Sequence, residues 1–136
     1  MTKRILVIDD EPGIRKSFTV ALEDTGYLVE TAESGEIGIE KLKKQKYDLI
    51  YLDLNMPCLN GVETLRELRA IDRDVPIYIV TAFHAAFTDQ LKRAAEEKID
   101  FELLRKPLGS DQIVTITRGI FKWDDANLTG EYHDTT

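Results

Sequence analysis

The chain repeats one pattern from end to end: a short apolar run, then a longer segment with helical spacing. The strand candidates are Arg4–Asp9, Leu28–Ala32, Asp48–Asp53, Pro76–Thr81 and Asp100–Leu104. Helical spacing fills 12–25, 35–46, 61–71 and 84–98, with a last segment over 109–122. In the first of these Ile14, Phe18, Ala21 and Leu22 share a face, and Gly26 lies just beyond as a stop signal. In the second, Ile39 and Leu42 turn inward and leave Lys41, Lys43 and Lys44 to water; in the last, Ile113, Ile116 and Ile120 repeat the spacing. Strands alternating one for one with helices define parallel βα units, so the sequence predicts an α/β fold with helices on both sheet faces.

Strand order follows from where charge is tolerated. Ile5–Ile8, Leu49–Leu52 and Ile77–Val80 are continuously apolar, as strands covered on both faces must be. The second and fifth runs each carry an internal acid, Glu30 and Glu102, which places them at the sheet edges. The predicted order is therefore 2-1-3-4-5. Such a sheet binds ligands beyond the carboxyl ends of its strands, where the order reverses between strands 1 and 3.

A chain of 136 residues makes one domain, expected over 1–123. From 124 to 136 there are four acids, no Lys or Arg and no periodicity, which predicts an acidic mobile tail. No run resembles a signal peptide or a membrane-inserting span, and the single Cys58 excludes an internal disulfide, as suits the cytoplasm. The net charge of −7 argues against direct nucleic-acid binding and for cations or basic partners.

Chemistry concentrates at the predicted carboxyl ends. Strand 1 runs into Asp9, Asp10 and Glu11 (the stretch VIDDEP), strand 3 ends at Asp53, strand 4 at Thr81, and Lys106-Pro107 follows strand 5. A buried strand ending in adjacent acids is costly, because like charges repel and burial disfavours the ionised forms. The topology gathers three carboxylates, a hydroxyl and an ammonium at one rim. Oxygen ligands of this kind suit Mg²⁺, which favours carboxylates together with phosphate oxygen and retained water.

VIDDEP, YLDLNMPCLNG (Tyr51–Gly61), IVTA (Ile79–Ala82) and RKPL (Arg105–Leu108), in this order and each at a strand end, resemble the receiver domain of two-component response regulators over residues 3–122. The resemblance implies a flavodoxin-like fold and a phospho-accepting switch. Asp53 would take a phosphoryl group from a histidine kinase or phosphotransfer protein. Asp9 and Asp10 would hold Mg²⁺ (or Mn²⁺ in its place) together with Asp53 and the Asn55 backbone carbonyl. Thr81 and Lys106 would meet the phosphoryl oxygens, and Pro107 would follow a cis peptide bond that aims Lys106. The protein would catalyse only its own phosphorylation and dephosphorylation. Its output would be contact with a downstream partner or passing the phosphoryl group on in a relay, since the residues after 122 are too few for an effector.

The chain departs from the family at Leu103, where receivers carry a Tyr or Phe that turns inward on activation; the nearby Phe101 has the same strand parity. Phe83, beyond Thr81, is the large side chain expected to fill space in its stead. Gly61 is expected in the turn before the third helix, and Met56-Pro57 in a fixed bend. Cys58 is expected as an inert loop thiol, His84 at a helix start and His133 in the tail. Two other functions stay open. A haloacid-dehalogenase-type phosphatase also forms an aspartyl phosphate with Mg²⁺, though on an Asp-x-Asp pattern after strand 1. A pseudo-receiver would bind partners without phosphorylation.

Overall fold

The computed structural model describes residues 2–53, 61–81, 92, 94–99, 101–105 and 108–128. Five strands form one sheet: β1 (Arg4–Ile8), β2 (Leu28–Ala32), β3 (Leu49–Asp53), β4 (Ile77–Thr81) and β5 (Glu102–Arg105). Every pairing is parallel and the order is β2-β1-β3-β4-β5. The two strands with internal acids are therefore the edges. Glu30 on β2 meets the Arg4 guanidinium at 3.3 Å, and Glu102 on β5 is exposed.

The helices are α1 (Pro12–Leu22), α2 (Gly35–Lys44), α3 (Gly61–Ile71) and a C-terminal α4 (Ser110–Leu128). The period-two alternation of each central strand divides the core in two. Leu6, Ile8, Ile50, Leu52, Ile77 and Ile79 pack against Ile39 and Leu42 of α2 and Leu65 and Leu68 of α3. Ile5, Val7, Leu49, Tyr51 and Val80 point the other way, onto Phe18 and Leu22 of α1 and Ile113, Ile120 and Phe121 of α4. All five side chains of β3 are buried, so this strand has no solvent face.

Local chemistry explains the element ends. Pro12 opens α1, where its missing N–H costs nothing. Ser34 caps α2 by accepting from the Ile37 N–H at 3.2 Å, and Lys41, Lys43 and Lys44 in the last turn complement the helix dipole. Lys41 is not simply solvated, because its ammonium donates to the Thr31 carbonyl at 2.7 Å. Gly26, with φ +86°, sits in the turn into β2 rather than at the helix end itself. Gly38 lets α2 lie close to β1: a Cβ there would run into the Ile8 side chain. Gly35 similarly faces the buried Thr64 hydroxyl, which has no hydrogen-bond partner among the described residues.

The third helix has the expected bounds, but Gly61 begins it rather than sitting in the turn before it, and one boundary differs from expectation. The last helix, expected over 109–122, continues through Leu128, so Asp124 to Leu128 belong to it. No Gly or Pro lies between Gly119 and Gly130, and extending an existing helix needs no new nucleus. Of the segment expected as a helix over 84–98, Lys92 and Ala94–Glu96 are described and helical. It closes in a Schellman motif: the Lys98 N–H donates to Ala95 O at 3.0 Å and the Ile99 N–H to Ala94 O at 3.1 Å, with Lys98 at φ +60°. The Arg66 guanidinium ties this end to α3 through two bonds to Glu97, at 3.0 and 2.9 Å.

Candidate functional site

Asp9 leaves β1 immediately after Ile8, and Asp53 is the last residue of β3. Because Ile8 pairs with Leu52, parallel pairing brings the two acids to the same level of the sheet. Asp9, Asp10 and Asp53 each offer a carboxylate oxygen within 4.8 Å of the others. Asp9 and Asp53 are buried, at 3% and 4% exposure, and Asp10 is half-buried.

The Asp9 side chain and backbone are both held. Its N–H donates to Ala32 O at 3.0 Å, its Oδ1 accepts from the Glu11 N–H at 3.0 Å, and its carbonyl accepts from Arg15 Nη1 at 2.7 Å. Pro12 then starts α1, so the positive end of that helix dipole lies beside the acids. Arg15 was not among the sequence candidates. Its signal was available, since a residue one turn into a helix that starts at the site can reach back over it.

Thr81 closes β4 and pairs with Arg105 of β5, one step past the Asp53–Val80 pair. The sheet therefore brings the backbone of Thr81 beside Asp53. Lys106, Pro107 and Asn55 lie outside the described residues, as do Met56, Pro57, Cys58, Phe83, His84 and His133. Leu103 and Phe101 both pack on the α2–α3 side of the sheet, whereas Leu104 packs on the α1–α4 side. The parity read from the sequence is correct.

Three carboxylates this close, two of them buried, are electrostatically unfavourable without a cation. All the donors are oxygens, and the half-buried Asp10 leaves one side open to water and a phosphate-bearing group. That set fits Mg²⁺, and among the described residues it includes no sulfur or imidazole ligand of the kind structural zinc takes.

A parallel sheet ordered 2-1-3-4-5 with an acid cluster at the switch point defines a signalling receiver. The chain belongs to that family: the model described as "Response regulator receiver domain" matches residues 5–118. It is thus a receiver module of two-component signalling. Transcriptional regulatory protein GlrR of Escherichia coli (strain K12) is 35% identical over 109 residues, covering 80% of this chain and 24% of that protein. The chain therefore spans about a quarter of the length of this relative. Among solved structures, chemotaxis protein CheY4 of Vibrio cholerae superposes with a TM-score of 0.76 at 27% identity, covering 88% of this chain and 99% of that one. Response regulator TrrA of Thermotoga maritima gives 0.73 at 33% identity, with the same coverage. Among the described residues no helix is long and apolar enough to cross a membrane.

Proposed function

We propose that Asp53 is the phosphoacceptor of this receiver and that the cytoplasmic donor is a histidine kinase or phosphotransfer protein. The observation that carries this reading is the meeting of Asp9, Asp10 and Asp53 within 4.8 Å at adjacent strand ends. Asp53 is the member that ends the central, fully buried strand, so its carboxylate has little freedom to swing away. In the transfer, an Asp53 oxygen bonds to phosphorus as the phosphorus–nitrogen bond of the donor phosphohistidine breaks, and the imidazole keeps the electron pair. Asp9 and Asp10 would hold Mg²⁺, with the Asn55 carbonyl as a further ligand. Bound there, the ion supplies charge neutralisation for an anionic donor approaching an anionic nucleophile. Mn²⁺ is expected to substitute.

The remaining roles belong to the chain itself. Thr81, carried beside Asp53 by the β3–β4 register, would donate its hydroxyl to a phosphoryl oxygen. Lys106, one residue after the Thr81–Arg105 pair, would supply the positive charge for the equatorial oxygens. Arg15, through the Asp9 carbonyl, would hold the metal-side loop in place. Hydrolysis of the Asp53 acyl phosphate resets the domain, so its only catalysis is on itself, and the output is contact with a downstream protein. The TrrA structure, a complex with Mg²⁺ and BeF, supports the same reading of the acid cluster.

The test is incubation with acetyl phosphate and Mg²⁺ followed by intact mass. Wild type should gain one phosphoryl group only with divalent metal, and Asp53→Asn should gain none while staying folded. Modification of Asp53→Asn at the wild-type rate would remove Asp53 from this role. Absence of any uptake by wild type would favour the pseudo-receiver.

A further inference from the structure

The opposite end of the sheet, at the amino ends of β4 and β5, carries two adjoining hollows that the phosphorylation chemistry does not use. The first, about 550 Å³, lies between the carboxyl ends of α2 and α3 and is bordered by Lys44, Lys46, Arg73, Leu42 and Ile71. The second, about 700 Å³, lies at the start of β4 and β5 and has a mixed lining, with Pro76, Phe101 and Ile116 beside Arg69, Tyr78 and Glu102. Arg73 and Asp74 border both, so the two form one continuous surface around the α3–β4 turn.

The charges there are unevenly committed. Lys43 pairs with Glu40, and Arg69 donates to the Val75 carbonyl. The Asp72 carboxylate accepts from the Asp74 and Val75 N–H groups at 2.9 and 3.1 Å, which ties it to the turn. Lys44, Lys46 and Arg73 have no ion-pair partner among the described residues. Cations in the last turn of a helix can be explained by the helix dipole, but Lys46 and Arg73 lie beyond the ends of α2 and α3. In a chain of net charge −7, three uncommitted cations around one hollow stand against the overall charge. Ile71 adds an apolar side chain that is 37% exposed at the same place.

We infer that this base surface docks an acidic peptide segment of a partner protein that carries a bulky apolar side chain beside its acids. The acids lie over Lys44, Lys46 and Arg73, and the apolar side chain enters the hollow at the start of β4 and β5. Glu102, which borders the second hollow and not the first, repels a further acid there and so fixes the order in which the segment lies. An apolar anchor in a pocket flanked by a charged rim is the usual anatomy of an affinity-determining contact. Since the surface is at the far end of the strands from Asp53, docking is independent of phosphorylation.

The probe is a synthetic peptide of four Glu residues followed by Leu and Trp, titrated into the isotope-labelled full chain. Saturable chemical-shift changes are expected at 42–46, 69–74, 101–102 and 116–120, equal in wild type and Asp53→Asn. Lys44→Glu with Arg73→Glu should weaken binding at least about tenfold. Gly119→Leu should weaken it independently, because a Cβ at Gly119 meets nothing within 4 Å and the larger side chain would fill the hollow without disturbing the helix. Retained melting temperatures would separate these losses from unfolding. Unchanged affinity in either variant, dependence on Asp53, or tighter binding of duplex DNA or phosphatidylglycerol vesicles to the same residues would overturn the inference.

Discussion

Tyr51 shows how one side chain joins the acceptor strand to the rest of the molecule. It lies two residues before Asp53, is 1% exposed, and packs against the Phe18 ring at 4.8 Å and the Tyr78 ring at 6.2 Å. Its hydroxyl meets the buried Thr117 hydroxyl of α4 at 2.6 Å. Burial pushes the Tyr51 phenol up to about 12 from 10.0, because the phenolate would lose its hydration, and the bond to Thr117 only partly opposes this. The folded state therefore holds the proton more tightly than the unfolded chain. The resulting stability is fully present below pH 10 and is lost as pH rises towards 12, by roughly 2–3 kcal/mol in all. Tyr51→Phe should flatten denaturant-derived stability across that window, with a residual slope from Tyr47, which burial also raises. At neutral pH the same variant should cost about 1–2 kcal/mol, because the Thr117 hydroxyl is left buried and unpaired. Adding Thr117→Val should recover part of that loss. The sequence showed Tyr51 only as one member of an apolar run, and its partner is 66 positions away.

Elements were the most legible scale, and their contacts the least. Short apolar runs placed every strand within two residues of its observed ends, because a strand covered on both faces needs a continuous apolar run, which the helical repeat does not give. Interhelical fit was hidden. Gly38 reads as a weak point in a helix, yet it is the residue that lets α2 approach Ile8. Gly38→Ala should therefore destabilise by roughly 1–3 kcal/mol in urea melts, despite the better helix propensity of Ala. Lys98 is the reverse case, since a lysine occupies a left-handed position where glycine is free of strain. Lys98→Gly should raise stability by roughly 0.5–1 kcal/mol, measured by the same melts, with the Schellman bonds to Ala94 and Ala95 kept. A loss of stability instead would mean that the lysine side chain contributes more than its backbone costs.

At the scale of the whole molecule, an acid cluster sits at the carboxyl ends of β1 and β3, and uncommitted cations border a hollow at the base. The acid end should bind Mg²⁺ only when folded, since β1 and β3 must pair before Asp9 and Asp53 meet. Mg²⁺ should then raise the melting temperature. Asp10→Asn should raise the metal-free melting temperature or leave it unchanged, and should shrink the Mg²⁺-dependent rise. Equal rises in wild type and variant would place the stabilising ion elsewhere. The sequence by itself determined the α/β class, the strand order and the set of acids at the strand ends. Burial on both faces demands continuous apolar runs and edge strands tolerate charge, and both requirements are written residue by residue. Tertiary structure alone decided that Arg15 holds the Asp9 carbonyl, that Tyr51 finds Thr117, and that Arg73 borders the same hollow as Lys44 and Lys46. Those neighbours are fixed by how finished elements pack, a relation between distant positions that no local pattern encodes.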